Sequence, residues 1–134
     1  MPKPIVQAMV VCDNVYRDEG TKKSVLSGTF STIFSGGFPN THGHLAIYLA
    51  LTDIAEKGML QVVFRNEQDH DVAIQLPAWR IDRLPGRTEI LELCGNIAGL
   101  PLPGEGVFEF AAFWNDSFLA SKRVNLVKLK AGKE

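Results

Sequence analysis

Histidine and cysteine are scarce in this chain, and neither sign of charge is in surplus. It carries three histidines, two cysteines and a formal net charge of −1 over 134 residues. Near-zero charge removes the basic face that a nucleic-acid partner requires. Lys122, Arg123, Lys128, Lys130 and Lys133 do gather near the C-terminus, with only Glu134 among them as counter-charge. They read as a solvated strand edge and a basic tail over residues 130–134. No run comes near the ~18 apolar residues of a membrane span, so no membrane partner is expected. The opening MPKPIVQAMVVC is interrupted by Gln7 and followed by Asp13, with no small-residue cleavage site after it. No targeting segment is therefore expected, and the chain reads as cytoplasmic. Cys12 and Cys94 sit in apolar strand patterns without metal-type spacing. Free buried thiols are the expectation, and a disulfide would require their two strands to be neighbours.

The recurrent catalytic patterns are missing as well. There is no Gly-x-Ser-x-Gly elbow, and Ser35-Gly36-Gly37 runs toward Pro39 instead of opening a helix that would cradle phosphate. Paired carboxylates form no visible constellation. No catalytic residue and no cofactor is expected. Trp79 and Trp114 would suit sugar stacking only if exposed, and the pattern places Trp114 in the core and Trp79 near a strand end. The sharpest chemical signal is His42-Gly43-His44. On a strand, an HxH motif puts both imidazoles on one face, about 6.5–7 Å apart at Cα, as cupin-type metal sites do. A cupin would add a Glu a few residues on and a later His. Glu56 is too distant for that role, and His70, between Asp69 and Asp71, is a turn residue. Gly43 also favours a loop. His42 and His44 are thus metal candidates set against a plain polar loop.

What the chain has in quantity is alternation. The stretch from Gly104 to Leu129 holds two alternating runs, Val107–Trp114 and Phe118–Val127, around Asn115-Asp116-Ser117, the pattern of a β-hairpin. A three-residue loop pairs Trp114 with Phe118, Ala112 with Ala120 and Phe108 with Val124, and sets Glu109 opposite Arg123. A two-residue loop, Asn115-Asp116, mixes aromatic and polar groups on one face, because a one-residue slip inverts every side chain. Lys122, beside Phe110, is the exception, placed to snorkel or to guard an edge.

Upstream, Ile5–Cys12 reads as a strand, Asp13–Lys23 as a charged loop, and Ser24–Phe34 as a strand with Gly28 marking a bulge or a close backbone approach. Leu45–Leu51 is apolar on both faces, which fits a central strand ending near Asp53 and followed by one short helical turn over Asp53–Lys57. A helix over Leu45–Lys57 is the competing assignment. Leu60–Asn66, Val72–Leu76 and Glu89–Ile97 complete a count of about eight strands. The expected fold is a single all-β domain over residues 1–134, with a core of about 5–127. It is a mainly antiparallel, immunoglobulin-like β-sandwich. The inner set predicted is Phe30, Leu49, Phe64, Leu93, Phe110 and Val124.

Gly28, Phe38-Pro39, the histidine loop, the apolar strand ending at Asp53, Asn96, and Gly106-Val107-Phe108-Glu109-Phe110 before a polar turn come in a familiar order. It resembles a family of small bacterial β-sandwich proteins of unknown function, over about residues 5–127. Ser117 stands where that pattern has Gly, and the basic tail lies outside it. The resemblance implies the fold and brings no activity, cofactor or catalytic residue.

Two functions follow as expectations. The first is a non-catalytic binding or assembly module, with a protein partner or a second copy of itself. Its contact surface would be Val107, Ala111, Phe113 and Leu119, an apolar stripe on the hairpin's outer side that Val25 and Ile33 extend. The alternative is a small metal-binding protein or enzyme using His42 and His44.

Overall fold

Alternation becomes strand throughout the molecule. The computed structural model describes residues 3–129, and these hold ten strands and no helix. They are β1 (Ile5–Arg17), β2 (Ser24–Thr29), β3 (Thr32–Ser35), β4 (Asn40–Thr52), β5 (Gly58–Asn66), β6 (Val72–Gln75), β7 (Trp79–Ile81), β8 (Leu91–Leu102), β9 (Gly106–Trp114) and β10 (Ser117–Lys128). One sheet has the order β2-β1-β4-β8. The other runs β3-β10-β9-β5-β6, with β7 also paired to β5. Every pairing is antiparallel except β3 with β10.

The two inner faces form one core. Leu45, Ile47, Leu49 and Leu51 of β4 meet Leu60, Val62 and Phe64 of β5 and Phe108, Phe110 and Trp114 of β9. Phe64 stacks on Phe108 at 5.3 Å between ring centroids and meets Phe110 at 4.7 Å. Such aromatic pairs add about 0.5–1.5 kcal/mol each beyond the area they bury. Of the predicted inner set, Leu49, Phe64, Phe110 and Val124 are fully buried. Phe30 and Leu93 are only partly so. Phe30 lies where the chain crosses between sheets, and Leu93 belongs to the edge strand β8.

The final hairpin corrects the predicted loop while keeping most of the register. Trp114 pairs with Ser117 across the two-residue loop Asn115-Asp116. Both loop residues have positive φ, 47° and 71°, the primed-turn geometry that matches strand twist. Asn115 is held there by β5, since its N–H donates to the Met59 carbonyl at 3.0 Å and its Oδ1 accepts from the Met59 N–H at 2.9 Å. A β-bulge between Phe118 and Ala120 then inserts one extra residue, Leu119. The bulge restores the pairings of Ala112 with Ala120, Glu109 with Arg123 and Phe108 with Val124.

Three other expectations change. No helical turn follows Asp53; the Asp53–Lys57 connection is irregular. Ser24–Phe34 is two strands in different sheets, since Phe30-Ser31 carries the chain from β2 in one to β3 in the other. Nearly half of the charged Asp13–Lys23 stretch is strand and not loop. Through Arg17 it continues β1, which pairs with β2 as a hairpin arm, leaving only the turn at Asp18–Lys23.

That arm turns back over the four-stranded sheet. Ala8 pairs with Ala50, and Ala50 pairs with Glu92. Nine residues of straight strand would carry Arg17 about 30 Å beyond Ala8. Yet Arg17 Nη2 lies 3.7 Å from Glu92 Oε1, and the Ser24 hydroxyl donates to the same oxygen at 3.0 Å. The chain must therefore fold back past Cys12, the last residue of β1 paired with β4. The arm and the Arg87–Glu89 segment, whose carbonyls accept from Thr52 Oγ1, cover the outer side of β4. Ala46, Tyr48, Ala50 and Thr52 are accordingly buried, which is why β4 is apolar on both faces.

Candidate functional site

The outer face of the six-stranded sheet combines an aromatic pair, half-buried Phe113 and exposed Phe118, with internally paired charge. Phe113 stands on β9, and Phe118, 46 % exposed, crosses from β10 to meet it edge-on at 5.8 Å. Met59 and Val107 are exposed on the same face. Between them Ala111 and Ser121 form a pair of small side chains that keeps the centre low. Arg65 on β5 donates to Glu109 at 2.8 Å, and its guanidinium carbon lies 5.3 Å from the Phe113 ring centroid. Arg123 binds Glu67 in a two-point contact at 2.6 and 3.1 Å. Glu109 and Arg123 are in register as predicted, but each takes its closest charge partner from the β5 side.

Of the four predicted surface residues, Val107 and Phe113 are on this face. Ala111 is there too but is wholly buried under its neighbours. Leu119 is not part of it: the bulge turns it to pack against the core. Ile33, counted with the outer apolar groups, is likewise in the core. The residue missed was Phe118, expected inside opposite Trp114. Asn115-Asp116, a dipeptide that tolerates positive φ at both positions, was the signal for the shorter loop that moves it outward.

His42 and His44 lie on β4 opposite Leu100 and Ala98, so both project from one side of the strand, as HxH spacing requires. Phe30 meets the His42 ring at 6.0 Å, while His44 is exposed. Among the described residues no group of three His, Cys, Asp or Glu side chains is placed to hold a metal ion. The cysteines are both free, with Cys94 exposed where burial was expected. Strand β4 separates β1 from β8, and Cys12 lies opposite Ala46 while Cys94 lies opposite Tyr48, so their Cα atoms are more than two strand spacings apart, over roughly 9.6 Å, beyond disulfide reach. Desolvation raises both thiol pKa values above the ordinary cysteine value, which disfavours the reactive thiolate.

On the opposite side of the molecule, Glu92 gathers the polar contacts of the arm. It accepts from Tyr48 and Ser24 and faces Arg17. The Tyr48 hydrogen bond is the main cause of its lowered carboxyl pKa. Burial first, and then its bond to the Glu92 carboxylate, push the Tyr48 hydroxyl up to about 12. These shifts fit a structural clasp on the arm.

No helix among the described residues is long and apolar enough to cross a membrane. No curated protein matches the chain. A family model does match, over residues 7–127, nearly the whole sandwich. The chain belongs to that family, DUF6941, a family of unknown function.

Proposed function

We propose that this chain is a non-catalytic, cytoplasmic assembly module that pairs with a second copy of itself through the outer face of the six-stranded sheet. The observation that carries the reading is the Phe113–Phe118 aromatic pair on a solvent face whose charges already have partners. Large apolar side chains grouped on a surface favour burial against a partner. Arg65–Glu109 and Arg123–Glu67 would enter the interface as pairs, so docking leaves neither acid without a counter-ion. Strands β3, β10, β9, β5 and β6, of four, twelve, nine, nine and four residues, together offer roughly 600 Å². A standard interface takes about 800 Å² per partner. A twofold dimer brings the same patch onto itself.

Light scattering and sedimentation at micromolar concentration test this. A dimer is expected, with Phe118→Glu and Phe113→Glu each returning it to monomer. A wild-type monomer across that range overturns self-association; a dimer indifferent to both substitutions moves the interface elsewhere. The second reading, metal binding, draws support from the shared orientation of His42 and His44. One metal ion per chain in the purified protein, lost when both histidines become Ala, would favour it over the first.

A further inference from the structure

A cleft of about 380 Å³ opens where β1 parts from β4, between the base of the arm and the edge strand β3. Its lining includes Asp13, Gly28, Phe30, Thr32, Phe34 and His42. Asp13 directly follows Cys12, at which β1 leaves its ladder with β4. Phe34 is 61 % exposed, an unusual position for a phenylalanine with nothing to shield. Phe30 and His42 meet at 6.0 Å with their rings tilted by 48°, giving the cleft a second aromatic wall.

The carboxylate is seated by design of the backbone opposite. Gly28 has φ of 72°, and a Cβ there would collide with the carboxyl group of Asp13. The close backbone approach that a glycine inside a strand signals is thus an approach by a charged side chain. Asp13 enters no ion pair among the described residues, whereas Glu67, Glu92, Glu109 and Asp53 all do.

We infer that this cleft binds an amphipathic organic cation, a primary ammonium head on a short aliphatic stem. The head meets the Asp13 carboxylate and the stem lies against Phe30 and Phe34. Each part of the ligand is required by a part of the cleft. An exposed carboxylate alone holds a small cation weakly, because water screens the pair. Apolar walls alone would accept a neutral molecule, but would then take water from an uncompensated carboxylate. An anion is repelled. The volume lies within the range of small-ligand pockets, with few polar groups and a mostly apolar lining, as such pockets have. A free alkylamine and a lysine side chain share this chemistry. The cleft lies at the β3 margin of the sheet face proposed for self-association, but Asp13, Phe30 and His42 lie off that sheet, so Asp13→Asn tests the cleft and Phe118→Glu tests the dimer, and either can fail alone.

NMR titration of the full chain decides it, with n-butylammonium as probe, n-butanol as its neutral counterpart and a terminally blocked lysine as the second amine. Saturable shifts at Asp13, Gly28, Phe34 and His42 are expected with n-butylammonium and none with n-butanol. Asp13→Asn, which removes no ion pair of the fold, should weaken n-butylammonium about tenfold, and Phe34→Ala should weaken it too. Equal response to amine and alcohol, no saturable shift at these residues, or undiminished binding by Asp13→Asn each overturns the inference. Blocked lysine binding as tightly as n-butylammonium supports a protein side chain as the source. Binding confined to n-butylammonium supports a free amine.

Discussion

Arg65 and Glu109 face each other across the β5–β9 ladder with Nε and Oε2 2.8 Å apart, and their side chains retain only 13 % and 8 % exposure. They stand on the outer side of the sheet, yet Phe113 and the flanking strands withdraw them from water. Removing one partner leaves the other charged and poorly solvated. Glu109→Ala should therefore cost about 3 kcal/mol in urea unfolding. The double substitution Arg65→Met with Glu109→Leu should recover much of that loss. A cost below about 1 kcal/mol for the single change would mean that solvent screens the pair as it does at an open surface.

Phe110 has no exposed surface and touches Phe64 at the centre of the core. Phe110→Ala should destabilise by about 3–5 kcal/mol, the transfer loss plus the cavity left behind. Chemical denaturation measures it, and a loss under 1 kcal/mol would place the core's centre elsewhere.

Trp79 lies against Gly95, where an added Cβ would come within 3.1 Å of two indole carbons. Gly95→Ala must push the indole aside, at about 1–3 kcal/mol, and should red-shift tryptophan emission as Trp79 gains water. In a Trp79→Phe background the same substitution should cost clearly less. Equal costs in both backgrounds would show that the indole is not what confines position 95.

The clasp on the arm makes two opposite predictions about pH. Glu92 has a depressed carboxyl pKa in the folded state, so its contribution is present above the unfolded value and is lost as pH falls through the folded one. Glu92→Gln should flatten the acid limb of the stability curve below about pH 4.3. Tyr48 is an acid whose pKa is raised to about 12, so its contribution is present below the unfolded value and is lost as pH rises toward 12. Alkaline ultraviolet titration should show a tyrosine ionising near that value, absent in Tyr48→Phe. An ionisation midpoint near pH 10 for both tyrosines would show that Tyr48 is not desolvated under the arm.

Sequence by itself determined which side of each strand faces inward wherever one face is apolar and the other is not. The pairings of Ala112 with Ala120 and of Phe108 with Val124 were legible because a slip of one residue would have inverted a whole hydrophobic face. The two-sided apolar run of β4 likewise announced a strand covered on both sides, and HxH put two histidines on one face. Tertiary structure decided what local pattern leaves degenerate. A two-residue loop followed by a bulge and a three-residue loop give the same pairing beyond Ala120, and contacts from Met59 to Asn115 select the first, moving Phe118 out and Leu119 in. Charged residues in register with several candidates choose by three-dimensional proximity, so Glu109 took Arg65 instead of its predicted partner Arg123. The arm was least legible of all. Asp13–Lys23 has the composition of a solvated loop, and only Glu92, 75 residues beyond Arg17 in the chain, reveals where it lies. Alternation is a property of neighbours in sequence; which sheet face a hairpin covers depends on where distant strands bring their side chains.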